Sequence, residues 1–222
     1  MSTAQTIPEK EPSSFRLIAT LGVAGFFSGV VLVGSFIFTQ PIILANKAKA
    51  LSAAIYKVLP GCAEYKSLLL TNGVLEPLPE GVELGQEGVN PEVFAGFDKE
   101  GKLIGFAVTT EEPGFQDIIA GIFGYDPVKG EIIGLEILDS KETPGLGDKI
   151  LKDADFRKNF QALATHPEIK AVKKGEKENP YEVEAITGAT ISSKAVVRLL
   201  NKGMGQWEEA MKAYAESQGD TE

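Results

Sequence analysis

The sequence predicts an α+β chain: a single N-terminal transmembrane helix, then one domain in which antiparallel β-hairpins are packed by helices. Three observations carry this. Residues Leu17 to Thr39 form an uncharged apolar run. Two segments, Val93 to Thr110 and Gly121 to Leu138, share one hairpin layout. A helical apolar stripe closes the chain, at Val196, Leu200, Met204, Trp207, Met211 and Tyr214.

The apolar run holds 23 residues. At ~1.5 Å per residue it spans roughly 35 Å as a helix, enough for a hydrocarbon core of ~30 Å. A cleaved signal peptide has a shorter apolar core, of about 7–15 residues. The Ala-x-Ala at Ala48 to Ala50 lies well beyond the run, so an uncleaved anchor is expected. Lys10 and Arg16 precede the span and Lys47, Lys49 and Lys57 follow it, which leaves its orientation open. Gly25 and Gly29 form a small-xxx-small spacing, read equally well as a helix-contact face or as ordinary membrane-helix glycine.

After the span, apolar residues at Ile43, Leu44, Leu51, Ile55 and Val58 predict a helix leaving the membrane and ending at Pro60-Gly61. Residues 71–91, rich in Gly, Pro and Glu, read as loop. Each hairpin then has an aromatic-Asp step (Phe97-Asp98, Tyr125-Asp126), a turn closed by glycine (Gly101, Gly130) and a β-branched return strand. The pair is either two similar units of one sheet or shared hairpin grammar. Asp153 to Leu163 has helical spacing, and Lys170 to Pro180 reads as a charged loop. The final helix is expected from Ser192 onward, with a core-facing stripe that Gly203 and Gly205 weaken or bend.

Composition narrows the chemistry. The net charge is −9, a poor match for nucleic-acid phosphates. One cysteine, Cys62, and one histidine, His166, exclude an intrachain disulfide, a Cys/His zinc site, haem attachment and a Cys-ligated iron–sulfur cluster built by this chain alone. Redox chemistry here therefore needs an organic cofactor.

Two segments stand out. The first, ETPGLG at Glu142 to Gly147, follows the second hairpin and contains a tight-turn Thr-Pro-Gly. Gly145 and Gly147 would let a flat ligand or another backbone approach, although from these residues alone a plain connecting loop is the preferred reading. The second runs from Glu184 to Ser193. Its Thr187, Thr190, Ser192 and Ser193 crowd the start of the last helix, where hydroxyls cap N–H groups and the dipole suits a phosphate. Gly188 would let backbone come near that phosphate, and N-capping alone accounts for only part of the cluster.

Thr187-Gly188-Ala189-Thr190, preceded by ETPGLG and an N-terminal membrane helix, resembles the FMN-binding domain of the G subunit of the Rnf electron-transport complex. It is similar also to the C subunit of the sodium-translocating NADH:quinone reductase. The resemblance covers nearly the whole chain. It implies FMN bonded through a phosphoester to Thr190, installed by a separate flavin transferase from FAD. It places Thr187, Gly188, Ala189 and Ser192 at the phosphate end, and Glu142, Thr143, Gly145 and Leu146 along the isoalloxazine ring. Glu184 stands where that family usually has aspartate, keeping the carboxylate and lengthening its reach.

The resemblance further implies an electron-carrying subunit with no catalytic or metal-binding residues of its own. It would relay electrons in an ion-translocating ferredoxin:NAD oxidoreductase, beside polytopic membrane subunits and iron–sulfur subunits. The expected layout is a cytoplasmic tail at 1–16, the membrane span at 17–39, an exit helix and loop at 40–90, and the FMN-binding domain at 91–222. That domain would face the periplasmic or extracellular side of the cell inner (plasma) membrane. A stand-alone extracytosolic flavin carrier and a flavin-free anchored domain are the alternatives from other classes. His166 and Cys62 receive no role.

Overall fold

The computed structural model describes residues 13–71, 73–78 and 92–219. The chain falls into two compact units, Met1–Lys47 and Ala48–Glu222. The first is helical from Ser14, within an element that runs to Val58 (α1). Its apolar side chains, among them Phe26, Val31, Leu32 and Phe38, are exposed all along the uncharged run. By length and composition this helix is able to cross a membrane.

The second unit is built on one seven-stranded antiparallel sheet. Its strands are β1 (Glu64–Thr71), β2 (Val74–Pro77), β3 (Val93–Phe97), β4 (Leu103–Pro113), β5 (Ile118–Asp126), β6 (Glu131–Asp139) and β7 (Leu163–Ala164), in the order β2-β1-β3-β4-β5-β6-β7. The two predicted hairpins are β3–β4 and β5–β6, and β4 pairs with β5 to join them into a meander. Two short helices follow, α2 (Lys149–Lys152) and α3 (Ala154–Lys158). Asp153 caps α3, its side chain accepting from the backbone N–H groups of Asp155 and Phe156. Strands β8 (Lys170–Val172) and β9 (Glu182–Glu184) pair in parallel, and α4 (Thr190–Gly219) closes the fold.

Strand alternation explains why both sheet faces are covered. Val93, Ala95, Phe106, Val108, Phe123 and Tyr125 point to one face and pack with Val196, Leu200, Met204, Trp207, Met211 and Tyr214 of α4. Phe94, Ala107 and Ile122 point to the other and pack with Ala54, Ile55, Val58 and Leu59. All six residues of the sequence stripe are buried, so the α4 face reads as predicted. Tyr125 also donates to Glu208 of α4 at 3.2 Å, a carboxylate that His166 and Lys212 each approach at 2.7 Å.

Four expectations need correction. The loop over 71–91 contains β2, whose register against β1 runs from Leu68↔Pro77 to Thr71↔Val74; residues 79–91 lie outside the described residues, as do 1–12 of the tail. The charged loop at 170–180 begins as β8, because Ala171 alternates between flanking residues and finds Val183 across the ladder. The helix expected across 153–163 stops at Lys158, since Leu163 is drawn into β7 against Ile132. The last helix starts at Thr190 and continues unbroken past Gly203. A Cβ at Gly203 would fall 2.7 Å from the Phe123 ring, so that glycine sets a close helix–sheet approach.

A second close approach is tighter. Gly124 and Gly134 are paired across β5 and β6, and the Val58 carbonyl group rests over both. A Cβ at Gly124 would collide with backbone that cannot rotate away. Gly124→Ala is expected to destabilise the detergent-solubilised protein by about 3 kcal/mol, the upper range for core overpacking, read as a lowered thermal midpoint.

Candidate functional site

The loop from Glu142 to Gly147 leaves β6 and folds back on itself. Leu146 N–H donates to the Thr143 carbonyl at 3.1 Å, and Gly145 N–H donates to Asp148 Oδ1 at 2.7 Å. Asp148 is held in turn by Lys152 at 2.6 Å, which keeps its carboxyl below the ordinary range. This lifts Leu146 into the open while turning Gly147 inward.

The segment from Glu184 to Ser193 is a strand end, a turn and a helix start. Ala185 N–H donates to the Val172 carbonyl, and Ala189 N–H to that of Ile186, both within 2.9 Å. Gly188 takes φ +83°, the left-handed region that suits glycine. Ser193 fastens the turn from inside. Its hydroxyl donates to the Ala189 carbonyl at 2.9 Å and accepts from Ile186 N–H at 3.0 Å. Ser193 and Ser192 are buried, whereas Thr187 and Thr190 are exposed and their hydroxyls make no hydrogen bond among the described residues. Four hydroxyls of similar chemistry are thus divided: two serines hold the turn, and two threonines face solvent.

Glu142 joins the two segments. It is 5% exposed, and its Oε2 accepts the Ser192 hydroxyl at 2.5 Å. Its Oε1 accepts the N–H groups of Phe115 and Gln116 at 2.9 and 3.0 Å. One carboxylate therefore ties the β4–β5 turn and the ETPGLG loop to the start of α4. Gly147 completes the contact, because a Cβ there would fall 2.5 Å from Glu142 Oε2 and 2.9 Å from the Ser192 hydroxyl. Leu146 reaches across to Gly188, with Cδ2 4.0 Å from where a Cβ would stand.

Sequence reasoning placed Glu142, Thr143, Gly145 and Leu146 near Thr187, Gly188, Ala189, Thr190 and Ser192, and the structure brings these two groups together. Within them, the Glu142 carboxylate and Ser192 hydroxyl are spent on each other. Ala189 is buried, Thr143 donates to Gln116 Oε1 at 3.0 Å, and Gly145 lies open at φ +78°. Phe115 and Gln116 were missed. The Pro113-Gly114 pair signals their turn, but nothing in the sequence tells that it folds onto Glu142.

On the other side of Thr187 lies a cleft of about 230 Å³, lined by residues that include Lys149, Asp153, Asp155, Lys174 and Glu184. Glu184 Oε1 accepts from Gly175 N–H at 2.8 Å, so the longer side chain holds the Lys173–Glu176 turn as one wall.

Burial pushes the Glu142 carboxyl up, but hydrogen bonds from Ser192, Gln116 and Phe115 outweigh it and hold the group below its ordinary value of 4.5. A depressed carboxyl contributes stability that is present above that value and lost as pH falls through the folded one. Glu142→Gln is expected to cost about 1–2 kcal/mol at neutral pH and to remove this part of the acid sensitivity. Thermal midpoints measured from pH 7 down to pH ~3 check both.

Comparison with known proteins follows the same geometry. A family described as an FMN-binding domain matches residues 114–205. The G subunit of an ion-translocating oxidoreductase complex from Vibrio vulnificus is 30% identical over 173 residues, covering 77% of this chain and 78% of that protein. The like-named subunit from Methanosarcina acetivorans is 28% identical over 85% of this chain and 92% of its own length. The crystal structure of the C subunit of a Na(+)-translocating NADH-quinone reductase from Parabacteroides distasonis shares the fold, with a TM-score of 0.57 at 19% identity over 76% of this chain and 95% of that one.

Proposed function

The chain belongs to the family of the G subunit of ion-translocating oxidoreductase complexes, and on that premise we propose that it is a membrane-anchored electron-transfer flavoprotein of such a complex, with FMN joined to Thr190 through a phosphoester. The observation that carries the attachment is the exposed Thr190 hydroxyl at the first residue of α4, unbonded among the described residues and two positions after the left-handed Gly188 that Leu146 approaches.

The residues fit the group. The positive end of the α4 dipole favours a phosphate at Thr190, and Thr187 offers a second hydroxyl nearby. Leu146 gives the ring apolar cover. Glu142 and Ser192 stay inside and fix the distance between these two parts. Bound FMN supplies the electron chemistry, while the protein binds, orients and sets the surrounding charge. Among the described residues no basic side chain is bonded to Thr190 to remove its proton, which fits attachment by a separate transferase. There the Thr190 oxygen displaces AMP from FAD and gives its proton to that enzyme.

The same reading assigns residues 17–39 to the membrane, the tail at 1–16 to the cytoplasm, and residues 91–222 with 40–90 to the flavin domain on the periplasmic or extracellular side. A covalent tether is useful there, because a dissociated flavin would be lost by dilution. Relatives named as a proton-translocating and a Na(+)-translocating ferredoxin:NAD(+) oxidoreductase subunit, from Clostridium ljungdahlii and Acetobacterium woodii, support a role relaying electrons between ferredoxin and NAD beside the other subunits, polytopic and iron–sulfur, of an Rnf-type complex.

Membranes from cells with a working flavin transferase are expected to give an ultraviolet-excited fluorescent band at 23.7 kDa on a denaturing gel. Thr190→Ala abolishes the band and Thr187→Ala weakens it. A full-strength band in the Thr190 variant would place the attachment elsewhere.

A further inference from the structure

The cleft beside Thr187 joins the end of the second motif, from Glu184 to Thr187, to residues that neither motif contains, between Lys149 and Asn159 and at Lys174. Its floor is fixed. Asn159, 8% exposed, accepts the Glu184 N–H at 3.2 Å through Oδ1 and donates through Nδ2 to the Phe156 carbonyl at 3.0 Å. Its carboxylates are engaged within the chain. Asp153 accepts the N–H groups of Asp155 and Phe156, Asp155 pairs with Lys158 at 2.9 Å, and Glu184 accepts from Gly175 N–H. Its cations are not engaged in this way. Among the described residues, the ammonium groups of Lys149 and Lys174 enter no ion pair and no hydrogen bond. Lys174 acts on Asp155 only as a second and more distant charge behind Lys158.

We propose that this cleft is the surface on which the flavin transferase docks, with an acidic segment of that enzyme seated between Lys149 and Lys174. The inference rests on the Thr190 reading and deepens it, naming the face by which the modifying partner is recognised.

Position and charge both select this occupant. Thr187 is a wall of the cleft and stands three residues before Thr190, so a protein seated there has the hydroxyl to be modified close at hand. In the same reading the delivered ring goes to the Leu146 side, which leaves the enzyme's own contacts to the cleft side. The chain carries a net charge of −9, so an acidic segment is repelled by the molecule as a whole and drawn to the place where two lysines stand without a pair. Glu184 serves this surface indirectly. By holding Gly175, at φ +84°, it fixes the Lys173–Glu176 turn that carries Lys174.

The test uses the full chain, made in cells without the transferase and solubilised in detergent, then mixed with purified transferase and FAD. The initial rate of the fluorescent band on a denaturing gel is measured against chain concentration. Lys149→Glu combined with Lys174→Glu is expected to raise the KM for the chain about tenfold and to leave kcat within about twofold. Lys174→Ala, at an exposed turn, should raise that KM about threefold with an unchanged thermal midpoint. Raising salt from about 0.05 to 0.3 M should slow the wild-type reaction far more than that of the double variant. Lys99→Glu combined with Lys102→Glu makes the same charge change at the exposed β3–β4 turn and should leave KM as it was. A wild-type KM in both cleft variants overturns the dock. A loss confined to kcat also overturns it, as does an equal rise in the β3–β4 control, which assigns the effect to net charge. A wild-type chain that takes up no flavin, or a Thr190→Ala chain that still does, defeats the tether and the dock with it, and is read without reference to the lysines.

Discussion

A buried carboxylate that must be satisfied from three directions governs this domain. Among the described residues no cation pairs with Glu142. Its charge is met by two backbone N–H groups from the β4–β5 turn and by a serine hydroxyl on α4. Leaving any of these donors away would strand charge in a dry site, at a cost larger than an ordinary hydrogen bond is worth. The turn, the ETPGLG loop and the first turn of α4 are thereby held to one another through a single side chain. The exposed threonines inherit their positions from that unit without taking part in it.

The sheet supplies the second constraint on the same site. Helix α4 is anchored over most of its length by the stripe from Val196 to Tyr214, and Gly203 lets it sit directly on Phe123. With the helix fixed along the sheet, its N-terminus has one place to be. The Ser193 hydroxyl then closes the turn between Ile186 and Ala189, and Thr190 emerges as the first helical residue. Interior packing and surface chemistry are linked here through consecutive residues, with Ser192 and Ser193 inside and Thr190 and Ile191 outside.

Much of this was legible in the sequence. An unbroken apolar run of membrane-spanning length located the first long helix, and apolar periodicity the last, because a period of 3.6 over many residues is hard to imitate. The hairpins followed from turn glycines flanked by alternating strands. The two motifs could be matched to a known kind of site, and they do converge in space. What escaped were short elements whose identity depends on distant partners. Strand β2 exists because β1 pairs with it, and β8 because Val183 lies across from Ala171. The division of labour among the four hydroxyls was also invisible. Ser192 and Thr190 differ little as residue types, and only burial against Glu142 separates a structural hydroxyl from a free one. Phe115 escaped for the same reason, since its neighbour in the fold lies 27 positions along the chain.

The borders of the sheet bear on how the domain meets other chains. Among the described residues, one margin is β2, four residues long and ending in Pro77, and the other is β7, with only two. Strands β3, β4 and β5 have a paired neighbour on each side, whereas β7 covers only Glu131 and Ile132 of the nine-residue β6. At the β2 margin a neighbouring copy meets a row of only four residues, closed by a proline that has no N–H to offer. The β2 margin is thus a poor template for a second copy, while beyond Ile132 the outer side of β6 carries no strand among the described residues.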